Sequence, residues 1–302
     1  LKVKPECAAC IVHRGIREII EATEDEKVRF NAVNALLKFL AESFTPEGVP
    51  ADLGTQRDRI IKRVTGNPDP YKRKKQLSNQ KALELLPKAK KLVENAGSPE
   101  ERFRKACLCA IVGNLLEFDI PDHVFTLEEL EAHLASAEKD LAIDEIAKIR
   151  EIAAKAGNII YLTDNAGEIV FDTLLVKELR SLGAQVTVAV KGGPIINDAT
   201  MEDAETAGMN RVADAVIDTG TDSVGLNREE SSEEFLKAYD SADLVIAKGM
   251  GYAESLTELK LEKPHALLFR TKCNPVAEFF QVPKGKNVAK LLPEMKGENE
   301  AL

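Results

Sequence analysis

The chain has 302 residues, 44% hydrophobic and 30% charged, a composition that excludes a disordered or fibrous protein and suffices for one large α/β domain or two smaller units. A formal net charge of -9 disfavours a nucleic-acid partner, which is bound through clustered Lys and Arg, but leaves room for a small phosphorylated ligand held by a few local cations. No apolar run approaches the roughly 18 to 20 residues of a membrane span and the opening LKVKPECAAC lacks the apolar core of a signal peptide, so a cytoplasmic protein without a membrane partner is expected.

Up to about Gly157 the apolar residues follow a helical period, as in Phe30, Val33, Leu37 and Leu40, and again in Leu127, Leu130 and Leu134. The stretch from Thr45 to Asn67, with its Pro, Gly and polar residues, predicts a loop, and Tyr71 to Gln76 predicts the charged, solvated start of a helix. Residues 1–157 therefore read as an all-α region. From Asn158 to the end at residue 302 the period changes to short β-branched and aliphatic runs: Ile159 to Leu162, Val186 to Val190, Ala215 to Ile217, Leu244 to Ala247 and Ala266 to Phe269. Helical stretches such as Ile169 to Leu182 separate most of them, the βαβ pattern of a doubly wound, mostly parallel sheet and hence of an α/β fold.

In such a sheet ligands bind beyond the carboxyl ends of the strands, so the residues after each apolar run carry the chemistry. After the first run comes Thr163-Asp164-Asn165-Ala166-Gly167-Glu168; after the second, Lys191 to Thr200 with Asn197-Asp198; after the fourth, Lys248-Gly249-Met250-Gly251; after the fifth, Arg270-Thr271-Lys272-Cys273. Asp164, Asn165 and Asp198 offer two carboxylates and an amide carbonyl, a hard oxygen set suited to Mg²⁺, Mn²⁺ or a similar ion. Lys248, Arg270 and Lys272 add cations along the same edge, where a phosphoryl group can be neutralised, and the glycines let backbone N–H groups approach it. An isolated Asp-Asn pair more often caps the following helix, but two acidic strand ends on one sheet edge favour the metal reading. Glu168 suits either a first-turn helix acid or an active-site acid. Gly249 and Gly251 lack the third glycine of a dinucleotide fingerprint.

Five cysteines, four of them in the close pairs Cys7/Cys10 and Cys107/Cys109, fit reduced thiols or a metal better than a secreted disulfide framework. Cys7-Ala8-Ala9-Cys10 puts two thiols on one helical face with His13, a weak zinc signal without a second pair. His123, His133 and His265 are scattered and read as structural.

Taken together, Asp164-Asn165-Ala166-Gly167-Glu168, the Lys191 to Thr200 segment, Lys248-Gly249 and Arg270-Thr271-Lys272 closely resemble the damage-control phosphatase family, and the CxxC with Gly113-Asn114 resembles its archaeal and bacterial branch. The resemblance spans essentially the whole chain. It implies a helical region packed on a Rossmann-like α/β domain and hydrolysis of phosphate monoesters with Mn²⁺, Ni²⁺, Co²⁺ or Mg²⁺. It gives Asp164, Asn165 and Asp198 the metal positions, and Glu168, Lys248 and Lys272 positions lining the substrate pocket. Asn114, Gly249 and Arg270 are the further candidates for substrate contact. The Arg270-Thr271-Lys272 spacing departs from the eukaryotic pattern.

The expected mechanism has the ion polarise a phosphoryl oxygen and orient the attacking water, with Lys248 and Lys272 balancing charge; Asp164 as a covalent nucleophile is the variant. Two other readings compete. One is an S-adenosylmethionine-dependent carboxyl methyltransferase, which the first strand loop disfavours because it ends in Asp164-Asn165 rather than in glycines. The other is a non-enzymatic binding module stabilised by zinc on Cys7, Cys10 and His13.

Overall fold

The first three helices, α1 (Pro5–Ala22), α2 (Glu26–Ser43) and α3 (Pro50–Thr65), pack on one another through two small apolar clusters, one around Leu36, Leu40 and Leu53 and one around Ile19, Ala32 and Ile61. The computed structural model describes residues 1–113 and 127–293. The helix α3 overturns the expected loop at Thr45 to Asn67. Pro50 stands in the first turn, where its missing N–H costs nothing, and Gly66 ends the helix at φ 72°, so the two supposed breakers mark its ends. Between them Leu53, Ile60 and Ile61 are buried.

The apolar stripe read on α2 is helical but only part of it, Val33 and Leu40, lies toward the core. Phe30 is 64% exposed and Leu37 48%, whereas Ala32, Leu36 and Leu40 face inward. The buried set departs from the stripe at its start and meets it at Leu40, and small Ala32 is what lets the neighbouring helices approach.

Next come α4 (Lys72–Glu94) and α5 (Pro99–Val112), then α6 (Leu127–Lys139). The start of α4 is less solvated than expected: Lys75 is buried, with its Nζ 2.9 Å from Asp69. Helix α5 is buried from Ala106 to Val112.

The sheet has seven strands among the described residues: β1 (Leu141–Asp144), β2 (Asn158–Leu162), β3 (Gln185–Val190), β4 (Ala215–Asp218), β5 (Leu244–Lys248), β6 (His265–Arg270) and β7 (Asn287–Leu292). Their order is β1-β7-β6-β5-β2-β3-β4, all parallel to their neighbours except the β6–β7 pair. Five strands coincide with the apolar runs of the sequence. The other two were not anticipated: β1 enters the sheet before residue 158, and β7 returns antiparallel after β6.

Helices α8 (Glu168–Ser181) and α9 (Met201–Ala207) join α4, α5 and α7 (Ile146–Ala153) on one face of the sheet, over the core that contains Phe103, Phe171 and Leu179. Helices α10 (Glu233–Ser241), α11 (Gly249–Leu256) and α12 (Asn274–Phe279) enclose the other face, around Phe235, Tyr252 and Phe269. The chain runs outward from β2 through β3 to β4, then resumes on the other side of β2 with β5 and β6. This reversal between β2 and β5 opens the crevice at their carboxyl ends where ligands bind in doubly wound sheets. Helix α3 closes over it: Arg59 Nη2 lies 2.6 Å from Asp222, and Lys62 Nζ donates to the Pro194 carbonyl at 2.6 Å and pairs with Asp222 at 2.9 Å. No described helix is long and apolar enough to cross a membrane.

Candidate active site

The loops after β2 and β3 lock together at this crevice. Ala199 N–H donates to the Asp164 carbonyl at 2.7 Å, Ala166 N–H donates to the Asn197 carbonyl at 2.9 Å, and Asn165 and Asp198 form an antiparallel bridge. Asp164, Asn165 and Asp198 are thus brought together by main-chain bonds rather than by side-chain chance. Gly167 at φ 78° turns the chain into α8, and its N–H donates to Asn79 Oδ1 at 2.7 Å, tying the loop to α4.

Gly249, at the start of α11 with φ 82°, gives Asp164 its space. A Cβ there would stand 2.1 Å from Asp164 Oδ2, so no side chain fits. Its role in the structure is therefore to seat the carboxylate against the β5 end.

The electrostatics fit a divalent cation. Burial, then the nearby Glu168 and Asp198 carboxylates, hold Asp164 well above the usual carboxylate range, with Lys272 and Lys248 offsetting only part of this. Burial also raises Asp198, opposed by Lys191 and reinforced by Asp58. Two crowded carboxylates that resist joint ionisation are what a cation between them would relieve. Asn165 Nδ2 donates to Asp164 Oδ2 at 2.8 Å and to Glu168 Oε2 at 3.1 Å, while its Oδ1 accepts no hydrogen bond among the described residues. The donor set is thus two carboxylates and a spare amide oxygen, all hard ligands. Among the described residues no group of three or more His, Cys, Asp or Glu side chains is arranged to hold a metal; the hard oxygens here come from two carboxylates and one amide.

Lys248 is placed differently from the expectation. Its ammonium is fully buried and donates to Glu168 Oε1 at 2.5 Å, Asp172 Oδ1 at 2.7 Å and the Ala110 carbonyl at 2.8 Å. Burial alone would lower it, but Asp172 and Glu168 hold it above the usual lysine range. Neither Lys248 nor Glu168 lines the cavity; together they form a charged prop beneath Asn165. Arg270 also lies away from the cavity, its Nη1 3.1 Å from Asn287 Oδ1 and 3.4 Å from Asp140, where it joins β6 to the neighbouring strand end. Asn114 lies outside the described residues.

Lys272 does reach the cavity. It is open to solvent on that side and crowded on the others, and this partial desolvation lowers its ammonium against the pull of Asp164 and Glu168. The cavity, of about 310 Å³, is lined by Asp164, Asn165, Asp198 and Lys272 from the sheet half. From the helical half it receives Arg14, Arg17, Glu21, Arg57, Tyr71, Lys74, Lys75 and Ser78, none of which the strand-end rule could find. Arg57 is buried, its Nε 3.2 Å from Glu18, whose carboxyl is pushed up by burial and by Asp58. Ile196, a β-branched residue at φ 45°, also lines the cavity, and its N–H points to Asp58 at 3.4 Å. Backbone strain of this kind collects at functional sites.

An adjoining chamber of about 240 Å³ shares Arg14, Arg57, Ile196, Val224, Met250 and Lys272 with the first. Cys7, Cys10 and Cys273 all line it, which sequence spacing could not show for Cys273. Cys107 and Cys109 are instead core residues of α5, their thiols raised by burial. His265 is structural, as expected, with Nε2 2.6 Å from the Tyr239 hydroxyl.

Comparison with known proteins covers nearly the whole chain. The profile of the damage-control phosphatase ARMT1-like domain matches residues 3–288. An uncharacterized protein of Methanocaldococcus jannaschii is 40% identical, with 95% of each chain covered. A damage-control phosphatase of Archaeoglobus fulgidus is 37% identical over 97% of this chain and 100% of its own. The crystal structure of a DUF89 family protein from Pyrococcus horikoshii superposes with a TM-score of 0.85 at 35% identity, covering 96% of this chain and 98% of that one.

Proposed function

Because the chain belongs to the damage-control phosphatase ARMT1-like family, we propose that it is a phosphatase of metabolite repair that hydrolyses small phosphomonoesters with a divalent ion, Mn²⁺, Ni²⁺, Co²⁺ or Mg²⁺. The observation that carries this reading is the pairing of Asp164 and Asp198, joined by Asn165, in a cavity that is also lined by six Lys and Arg side chains. Asp164, Asn165 and Asp198 would hold the ion, which supplies Lewis acidity to the phosphoryl group and acidifies water.

The chain's own residues do the rest. Lys272 offers a charge from the rim of the cavity, where negative charge on the phosphoryl oxygens is to be balanced. Lys248 and Glu168 act one layer below, fixing the Asn165 amide so that its oxygen is free. Gly249 keeps the Asp164 carboxylate in place. Water is the preferred nucleophile, because a carboxylate engaged with a cation attacks poorly; a rapid-quench experiment that traps phosphate on Asp164 would overturn this detail alone.

The function is tested by phosphate release from p-nitrophenyl phosphate and a panel of sugar and cofactor phosphates, after EDTA treatment and after each of the four ions is restored. Release that depends on the restored ion is expected. No release from any substrate with any ion would remove the phosphatase reading.

A further inference from the structure

Arg14 and Arg17 stand three residues apart on α1, hence on one helical face, and both line the cavity that holds Asp164 and Asp198. Neither forms an ion pair or a hydrogen bond among the described residues. The other cations from the helical half do have carboxylate partners: Arg57 has Glu18 at 3.2 Å, Lys74 has Glu21 at 3.0 Å and Lys75 has Asp69 at 2.9 Å. Arg14 acts at longer range on Glu254, a buried carboxyl that also borders the adjoining chamber, but among the described residues no carboxylate stands within ion-pair distance of either guanidinium.

Their placement gives the pair a direction. Arg14 also borders the adjoining chamber and is close enough to Lys272 to act on its ammonium, whereas Arg17 acts on the Tyr71 phenol. The two therefore span the wall from the Lys272 side of the cavity to its Tyr71 side. Like charges so close on a helix cost a few tenths of a kcal/mol, roughly, unless an anion sits against them. A guanidinium fork suits a carboxylate or a phosphate equally.

We propose that Arg14 and Arg17 form a second anion subsite, so that the preferred substrate carries, besides the phosphoryl group to be removed, a second anionic group, a carboxylate or a phosphate, on a short linker. The substrate class rests on the phosphatase reading above; the subsite itself does not. Arg14 and Arg17 then select among phosphomonoesters, while Lys272 and the Asp164–Asp198 pair serve the group that is cleaved.

The test is calorimetric titration of the full chain with glycerol phosphate, phosphoglycerate and propanediol bisphosphate, which carry one anionic group, a phosphate with a carboxylate, and two phosphates. EDTA-treated protein is used, so that no turnover occurs, and hydrolysis of the same compounds with Mn²⁺ is assayed separately. Wild type is expected to bind at least one of the two-anion ligands about tenfold or more tighter than glycerol phosphate, and the arm that wins tells carboxylate from phosphate. Arg14→Ala and Arg17→Ala should each remove most of that advantage, and the Lys variants, which keep charge without the fork, should retain part of it. Equal binding of all three ligands, no detectable binding of the two-anion ligands, or an equal loss for all three in the variants would overturn the subsite. Preserved discrimination with no hydrolysis of any compound would sustain the subsite and sink the phosphatase reading instead.

Discussion

Asp164 depends on a neighbour that has no side chain. Since a Cβ at Gly249 would overlap its carboxylate at 2.1 Å, and φ there is 82°, Gly249→Ala must displace either the carboxylate or the start of α11. The expected outcome is a loss of Mn²⁺-dependent phosphate release of at least about tenfold with about 1–3 kcal/mol of destabilisation, read from initial rates and urea unfolding. Lys248 gives a contrasting case. Lys248→Met leaves Glu168 and Asp172 buried without their cation, and a loss of about 3–5 kcal/mol in urea unfolding is expected, because breaking one side of a buried charged cluster strands the other. A change in catalytic rate with unaltered stability would mean that Lys248 works on the substrate directly. Asp164, Asn165 and Asp198 were legible in the sequence because a single rule, polar residues after an apolar strand, points to them. Arg14 and Arg17 were not, since a basic residue on a helix looks alike whether it faces bulk water or a cavity; and the difference between a propping lysine and a substrate-facing one is a matter of depth, which spacing does not encode.

At the scale of elements, β6 carries a pH-dependent contribution. His265 is buried between the Tyr239 hydroxyl and the Lys263 carbonyl, and burial pushes its imidazole down from 6.5 to about 4. Its folded value lies below its unfolded one, so the unfolded chain binds the extra proton between these limits, and stability falls as pH drops from about 6.5 to about 4. The upper bound is about 3 kcal/mol, and His265→Gln should flatten the urea-unfolding midpoint across that window. An unchanged slope would show that other groups dominate acid unfolding. The five strands from β2 to β6 were legible because buried parallel strands are continuous apolar runs. Strand β1, with alternating burial, was not, and β7 carries Lys290 in its middle. Helix α3 was missed because Pro and Gly were weighed for presence rather than position, and its buried Arg57 and Asp58 dilute the apolar period that would have announced it.

At the scale of the molecule, the candidate crevice belongs to the sheet, but most of its Lys and Arg side chains belong to α1, α3 and α4, so the cavity is complete only when the two halves meet. The connection runs through Arg59, which contacts Asp222 and Glu230, and Lys62, which contacts Asp222 and Pro194. Arg59 is partly exposed, so Arg59→Met should cost only about 1 kcal/mol of stability, less at high salt, while raising KM more than it lowers kcat; Lys62 also pairs with the buried Asp58 at 3.0 Å, so its loss would cost more. A fall in kcat at constant KM would place the effect in the chemistry instead. The sequence showed that a helical region precedes the sheet, yet which helix faces the crevice follows from packing between residues more than a hundred positions apart.

The central claim is that Asp164, Asn165 and Asp198 together hold one divalent ion. The most direct measurement is calorimetric titration of Mn²⁺ into the EDTA-treated protein, comparing wild type with Asp164→Ala and Asp198→Ala. One ion per chain in wild type, with affinity lost by about a hundredfold or more in both folded variants, is the predicted result. Binding that survives both substitutions, or a wild type that takes up no ion, would contradict it.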